Sequence, residues 1–171
     1  MNKYYSHIIR FVVLILLQVL VFSNVRMFGY YNPYIYLIFL LLLPVHIENW
    51  LLLVLGFVAG ISIDIFNSVL GIHAAACVLA CAVRPLIIGN MFNLKEIKVG
   101  TYPQIYWYGI GGFVLYAFIF VLIHHLVLFF LDVFTFQRFY MTLWHSLINT
   151  LITCAFVMGD QVVFHSKARK K

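Results

Sequence analysis

The stretch LGFVAGISIDIFNSVLGIHAAA, Leu55–Ala76, holds the reading that decides the fold. Within it Gly56, Gly60 and Asp64 recur every four residues, and at about 100° per residue they line one face of a helix. The two glycines remove side-chain bulk, so a neighbouring backbone can come close, as in small-xxx-small helix packing. Asp64 sets a carboxylate one turn further along the same seam. A charge at the centre of a bilayer costs roughly 2.5–3.5 kcal/mol on insertion scales, so such an acid turns towards a helix interface or a wet cavity. Gly56, Gly60, Asp64 and, after six more residues, Gly71 are therefore expected to serve helix packing or partner binding.

The surroundings of this stretch place it in a membrane. Of the 171 residues 65% are hydrophobic and only 9% are charged, and the mean hydropathy is +1.04. Soluble domains carry about 25% charged residues. The expected class is an all-α polytopic membrane protein, one integral membrane domain over residues 1–171, with little length left for a soluble catalytic module. Cys77, Cys81 and Cys154 fall in apolar segments and read as small buried hydrophobes.

Six transmembrane helices are expected, at about 8–25, 31–47, 50–66, 70–88, 106–131 and 140–164, each near the roughly 17–25 residues that a span requires. The first is flanked by Lys3 and Arg10, but Ser23-Asn24-Val25-Arg26 lacks a small-x-small cleavage pattern, so it reads as a membrane helix. With six spans the termini share a side. That side would carry Lys3, Arg10, Arg84, Lys95, Lys98, Lys167, Arg169, Lys170 and Lys171, leaving Arg26 and Arg138 opposite. The positive-inside rule then puts both termini in the cytoplasm. The basic tail reads as contact with anionic membrane lipid, and nucleic-acid binding has no domain to organise it. Tyr30, Tyr31, Tyr34, Tyr140 and Trp144 are expected at the outer edge, with Trp50, Tyr102, Tyr106 and Trp107 at the inner one.

Two sets of polar groups lie within the spans. Asp64 is expected near the outer end of its helix, with Asn67, Ser68 and the turn hydrating it, and it is read as the lone carboxylate of the spans. Arg84 would lie roughly 18 Å away in depth at 1.5 Å per residue and is expected to snorkel to the cytoplasmic surface. The second set is His124 and His125, about as deep as His145, beside a stripe of Thr142, His145, Ser146, Asn149 and Thr153 at helical spacing. His124, His125, His145 and Asn149 are read as a polar intramembrane cluster for interhelical hydrogen bonding. A metal site would need a third close ligand, so none is expected. With no phosphate loop, nucleophile elbow or paired carboxylates, no enzyme and no cofactor is expected.

Gly56-x3-Gly60-x3-Asp64-x6-Gly71, together with Gln18 before Ser23-Asn24-Val25 and an aromatic run, resembles the bacterial rod shape-determining membrane protein family MreD. The specific motif covers about 20 residues, and His73, His124, His125 and His145 are not recognised features of the family. The resemblance implies a non-catalytic scaffold of the cell-elongation complex in the inner (cytoplasmic) membrane. Its partners would be MreC and, indirectly, MreB, RodA and a penicillin-binding transpeptidase. It also implies a six-helix fold resembling the substrate-binding subunits of energy-coupling-factor vitamin transporters. Such a transporter subunit is the alternative, with Asp64, Asn67, His124, His145 and Asn149 as candidate ligand-facing groups.

Overall fold

The apolar run after Glu48 forms α3 (Asn49–Asn67), and a tight turn returns the chain as α4 (Ile72–Met91). Ser68 closes α3 in the left-handed region at φ 55°, and Gly71 opens α4 at φ 72°, a conformation that glycine adopts without the Cβ clash other residues meet. The next helices are α5 (Ile105–Val133), kinked at Gly109, and α6 (Phe139–His165). At the start of the chain α1 (Lys3–Leu17) runs into a single π-helical turn, Gln18–Phe22. A computed structural model describes residues 3–25, 31–69, 71–92, 97–98, 100–134 and 138–165. Arg26, Tyr30, Leu70, Lys95 and the basic residues at 167–171, which entered the topology and orientation readings, lie outside the described residues.

The chain is a helical membrane protein. Helices α3, α4, α5 and α6 are long and apolar enough to cross a bilayer, and α1 contributes a shorter apolar stretch, His7–Phe22. Leu20, Phe57, Ile65, Leu86, Ile110 and Leu151 all point outward, while Gln18, Asp64, Arg84, His124, His125 and Asn149 are buried. This inverts the arrangement of a soluble domain, as expected where lipid replaces water outside.

The expected second helix, 31–47, is not formed as a continuous helix. Only Leu37–Leu41, labelled α2, is helical, about 7.5 Å at 1.5 Å per residue. The physical cause lies at both ends. Pro33 and Pro44 flank the segment, and the residue before a proline is pushed away from the helical region. From Ile35 to Leu43 no residue is more than 6% exposed, so the segment sits inside the bundle and not at its lipid-facing surface. Around it α3 packs on α4, α4 on α5 and α5 on α6. An ion pair between Arg10 and Asp160 (3.1 Å) and a ring contact between Phe22 and Phe156 bring α6 back to α1. Helix α1 in turn touches α3. Among the described residues the four long helices and the shorter α1 surround one broken, buried segment of chain.

Candidate functional site: a buried polar seam

The seam starts where α3 meets α4. A Cβ on Gly60 would lie 2.5 Å from both the Ala74 nitrogen and the His73 carbonyl oxygen, and a Cβ on Gly56 would lie 2.8 Å from Cys81 Sγ. Both glycines thus face the chain's own α4. One turn on, Asp64 is 1% exposed. Its Oδ1 accepts from the His73 backbone N–H (3.0 Å) and from His73 Nδ1 (2.8 Å), and its Oδ2 accepts from the Ala74 N–H (2.9 Å). The carboxylate therefore caps the first turn of α4, where unpaired N–H groups and the helix dipole favour a negative charge. Asn67 and Ser68 do not supply these bonds. The neighbour is His73, brought next to Asp64 by the four-residue turn between the helices.

A second part of the seam supports the broken segment. Backbone polar groups in an apolar interior must be paired, and here other elements supply the partners. Gln18 Oε1, at the start of the π turn, accepts from the Ile35 N–H (2.8 Å). Asn149 Oδ1 accepts from the Asn32 N–H and Thr153 Oγ1 from the Tyr34 N–H, each at 3.1 Å. Residues two apart in an extended chain point the same way, and Asn149 and Thr153 are one helical turn apart, so the spacing on α6 matches that of the segment. Two residues of the polar stripe read from the sequence, Asn149 and Thr153, thus hold an extended backbone.

Arg84 closes the other end, and here the expectation of a snorkelling side chain is overturned. It is 1% exposed. Its Nε donates to the Tyr116 hydroxyl (2.8 Å), Nη1 to the Pro44 carbonyl (3.4 Å), and Nη2 to the carbonyls of Leu41 (3.4 Å) and Leu43 (2.5 Å). Tyr116 passes a further bond to the Leu41 carbonyl (2.9 Å). Carbonyls left open where α2 stops attract the guanidinium inward, and its planar fork of donors reaches several of them together. Arg84→Lys keeps the charge but offers one donor centre in place of three. It is expected to cost about 1–3 kcal/mol, the penalty for an unpaired buried carbonyl, read as thermal unfolding of the detergent-solubilised protein. Unchanged stability would show that the fork does not hold α2.

The third part is a cluster of rings. The Tyr36 hydroxyl is hydrogen-bonded to His124 Nε2 (2.8 Å), and His125 Nδ1 to Thr150 Oγ1 (3.0 Å). The Tyr34 ring lies 4.9 Å from His125, 6.1 Å from His73 and 6.2 Å from His124, centroid to centroid. Thr150 gives its proton to the Ser146 carbonyl (2.7 Å), so the His125 Nδ1–H must donate to Thr150, and Nε2 keeps its lone pair. His125 Nε2 and His124 Nδ1 are buried without a hydrogen-bond partner among the described residues. Among those residues no three His, Cys, Asp or Glu side chains are placed to hold a metal ion.

His145, expected alongside this pair, is set apart from it. Its ring packs against Tyr31 at 5.4 Å and its carbonyl accepts from Asn149 Nδ2. Tyr34, expected at the outer membrane edge, turns into the cluster instead. Asp64 is also not the lone acid of the spans, because Asp160 lies within α6 and pairs with Arg10. The sequence reading missed His73 as the partner of Asp64, Tyr34 and Tyr36 as members of the cluster, and the Arg10–Asp160 pair. The turn signal at Asn67-Ser68 with Gly71 could have paired Asp64 with His73 across the hairpin.

No family model, curated protein or solved structure matches this chain. The seam therefore stands on its own chemistry. It satisfies carbonyls, amides and one carboxylate inside an apolar ring, and it joins every long helix to the broken segment or to a neighbouring helix.

Proposed function

We propose that the chain is a non-catalytic membrane scaffold of the cell-elongation machinery, akin to MreD, linking MreC and MreB to peptidoglycan synthases in the inner membrane with both termini cytoplasmic. The observation that carries this reading is the use of the whole Gly56–Gly60–Asp64–Gly71 motif in one device, a clamped α3–α4 hairpin. Each residue of the motif has a structural task there, and the task is rigidity. On this reading α1 and the broken segment complete six crossings with α3–α6. Because α4 already occupies the glycine face, a partner helix would meet the outer face of the hairpin. There Phe57, Ile61, Ala75, Val78 and Leu79 line a shallow apolar depression of about 430 Å³.

The test is copurification from native membranes, read by mass spectrometry, comparing wild type with Val78→Trp on that outer face. Recovery of MreC or cell-wall synthases with wild type, reduced at least several-fold in the variant, is the expected result. Recovery undiminished in the variant would move the interface elsewhere, and absence of these partners from wild type would overturn the scaffold reading.

The second reading, a substrate-binding subunit of a vitamin transporter with a six-helix fold, is favoured by the ring cluster alone. Its unpartnered His124 and His125 nitrogens are the groups such a ligand would use. Recovery of an ATPase pair and a membrane coupling subunit would support it.

A further inference from the structure

Between α1 and α3, at the end of the bundle that holds the N-terminal turn of α1, lies a groove of about 810 Å³, within the roughly 300–1,000 Å³ of small-molecule sites. Its walls are apolar: Phe11 from α1, Phe39 and Leu43 from the buried segment, and Leu51, Leu55 and Val58 from α3. Its rim is polar and confined to one end, with His7, His46, Glu48, Trp50 and Tyr102. The rim is tied together by His7 Nε2 to the Tyr102 hydroxyl (3.0 Å), His46 Nε2 to the Ile97 carbonyl (2.9 Å) and Trp50 Nε1 donating to Glu48. Along α3 the rim residue Trp50 and the deep residue Val58 are eight residues apart, about 12 Å of helix.

We infer that this groove is a binding site for an amine-bearing phospholipid, with one acyl chain lying along α3 and the headgroup at the rim. Three observations carry it. The groove opens onto a surface that is itself lipid-facing, since Ile8, Val12 and Val54 on α1 and α3 are exposed and apolar. Its polarity is graded along its length in the same sense as an amphiphile, polar at one end and apolar beyond. The rim also carries an exposed carboxylate. Glu48 is exposed there and its carboxylate complements a headgroup ammonium, while the imidazoles of His7 and His46 and the Trp50 indole supply neighbouring polar atoms. On α1 the Arg10 guanidinium is paired with Asp160, and Lys98, next to the rim carbonyl of Ile97, is exposed. An anionic headgroup would offer the Glu48 carboxylate no counter-charge, and a headgroup carrying a quaternary ammonium could not hydrogen-bond to it. Trp at the rim suits the interfacial depth at which headgroups lie.

The site is independent of the scaffold proposal. A lipid held here would fill the groove between α1 and α3 and brace the buried segment through Phe39 and Leu43.

The experiment is native mass spectrometry of the full chain, delipidated in detergent and then offered phosphatidylethanolamine, phosphatidylglycerol or phosphatidylcholine at equal concentration. Wild type is expected to retain phosphatidylethanolamine at least fivefold over the other two. Leu55→Trp, which fills the apolar floor, is expected to lower retention of all three. Glu48→Gln, at an exposed position that leaves the fold intact, is expected to abolish the preference while total retention persists. Equal retention of the three lipids by wild type, or a preference that survives Glu48→Gln, would overturn the headgroup assignment. Retention undiminished in a folded Leu55→Trp would overturn the groove as the site. Should Leu55→Trp fail to fold, the Glu48→Gln comparison decides alone.

Discussion

Gly60→Ala is expected to destabilise the protein by about 3 kcal/mol, the upper range for an over-packed core. The added carbon would fall 2.5 Å from the Ala74 nitrogen and the His73 carbonyl oxygen. These are backbone atoms of α4, so no rotamer change relieves the clash and the two helices must separate. Separation also lengthens the three bonds to Asp64 one turn away. Gly56→Ala provides the internal comparison. There the nearest atom is Cys81 Sγ, which can rotate, although the Cys77 carbonyl follows at 3.2 Å, and a cost of about 1 kcal/mol is expected. Thermal unfolding in detergent checks both. A Gly56 variant that loses as much as the Gly60 variant would show that the close approach at Gly60 is not what fixes the hairpin.

The second large effect is at Asp64. Asp64→Ala leaves the His73 and Ala74 amides and the His73 Nδ1–H without an acceptor inside an apolar helix junction. At about 1–3 kcal/mol per orphaned buried donor, with partial relaxation, a loss of about 3–5 kcal/mol is expected. Asp64→Asn keeps one side-chain oxygen and should fall between Ala and wild type. His73→Ala removes the ring bond and leaves both amide bonds, and should cost about 1 kcal/mol. Hydrogen exchange at the His73 and Ala74 amides gives the site-specific readout, faster in Asp64→Ala and near wild type in His73→Ala. Wild-type stability and exchange in Asp64→Ala would overturn the capping role. Loss of a partner in Asp64→Ala is therefore no evidence of a direct contact, which is why the partner experiment uses Val78 on the outer face.

Much of the architecture was legible from hydropathy. The spans drawn at 50–66, 70–88, 106–131 and 140–164 agree with α3–α6 to within three residues at each end. Long apolar runs determine these helices because each must pair its own backbone in lipid. Hydropathy does not say whether an apolar run faces lipid or lies inside protein, and that is where the reading of 31–47 failed. The composition of that run, leucine-rich between two prolines, is as apolar as a span, while its backbone partners are 17 to 119 residues away in sequence. Arg84 was misplaced for the same reason. The depth arithmetic separated it from Asp64, but carbonyls opened by an unforeseen break in another element drew it inward. The small-residue seam was legible because steric close approach is a local pattern. The convergence of Tyr34, Tyr36, His73, His124 and His125 was not, because it depends on three-dimensional threading of an extended segment.

That threading bears on how the protein is made. The segment from Asn32 to Pro44 meets the insertion machinery early, yet its amides find acceptors on Asn149 and Thr153, and its carbonyls find donors on Arg84 and Tyr116. All four residues are synthesised after it, and two of them belong to the last helix. Released alone into lipid, an incompletely helical segment would leave several polar groups bare. Its native conformation can be reached only after α6 has arrived, so this early segment must wait, sheltered or provisionally helical, for that helix to complete it.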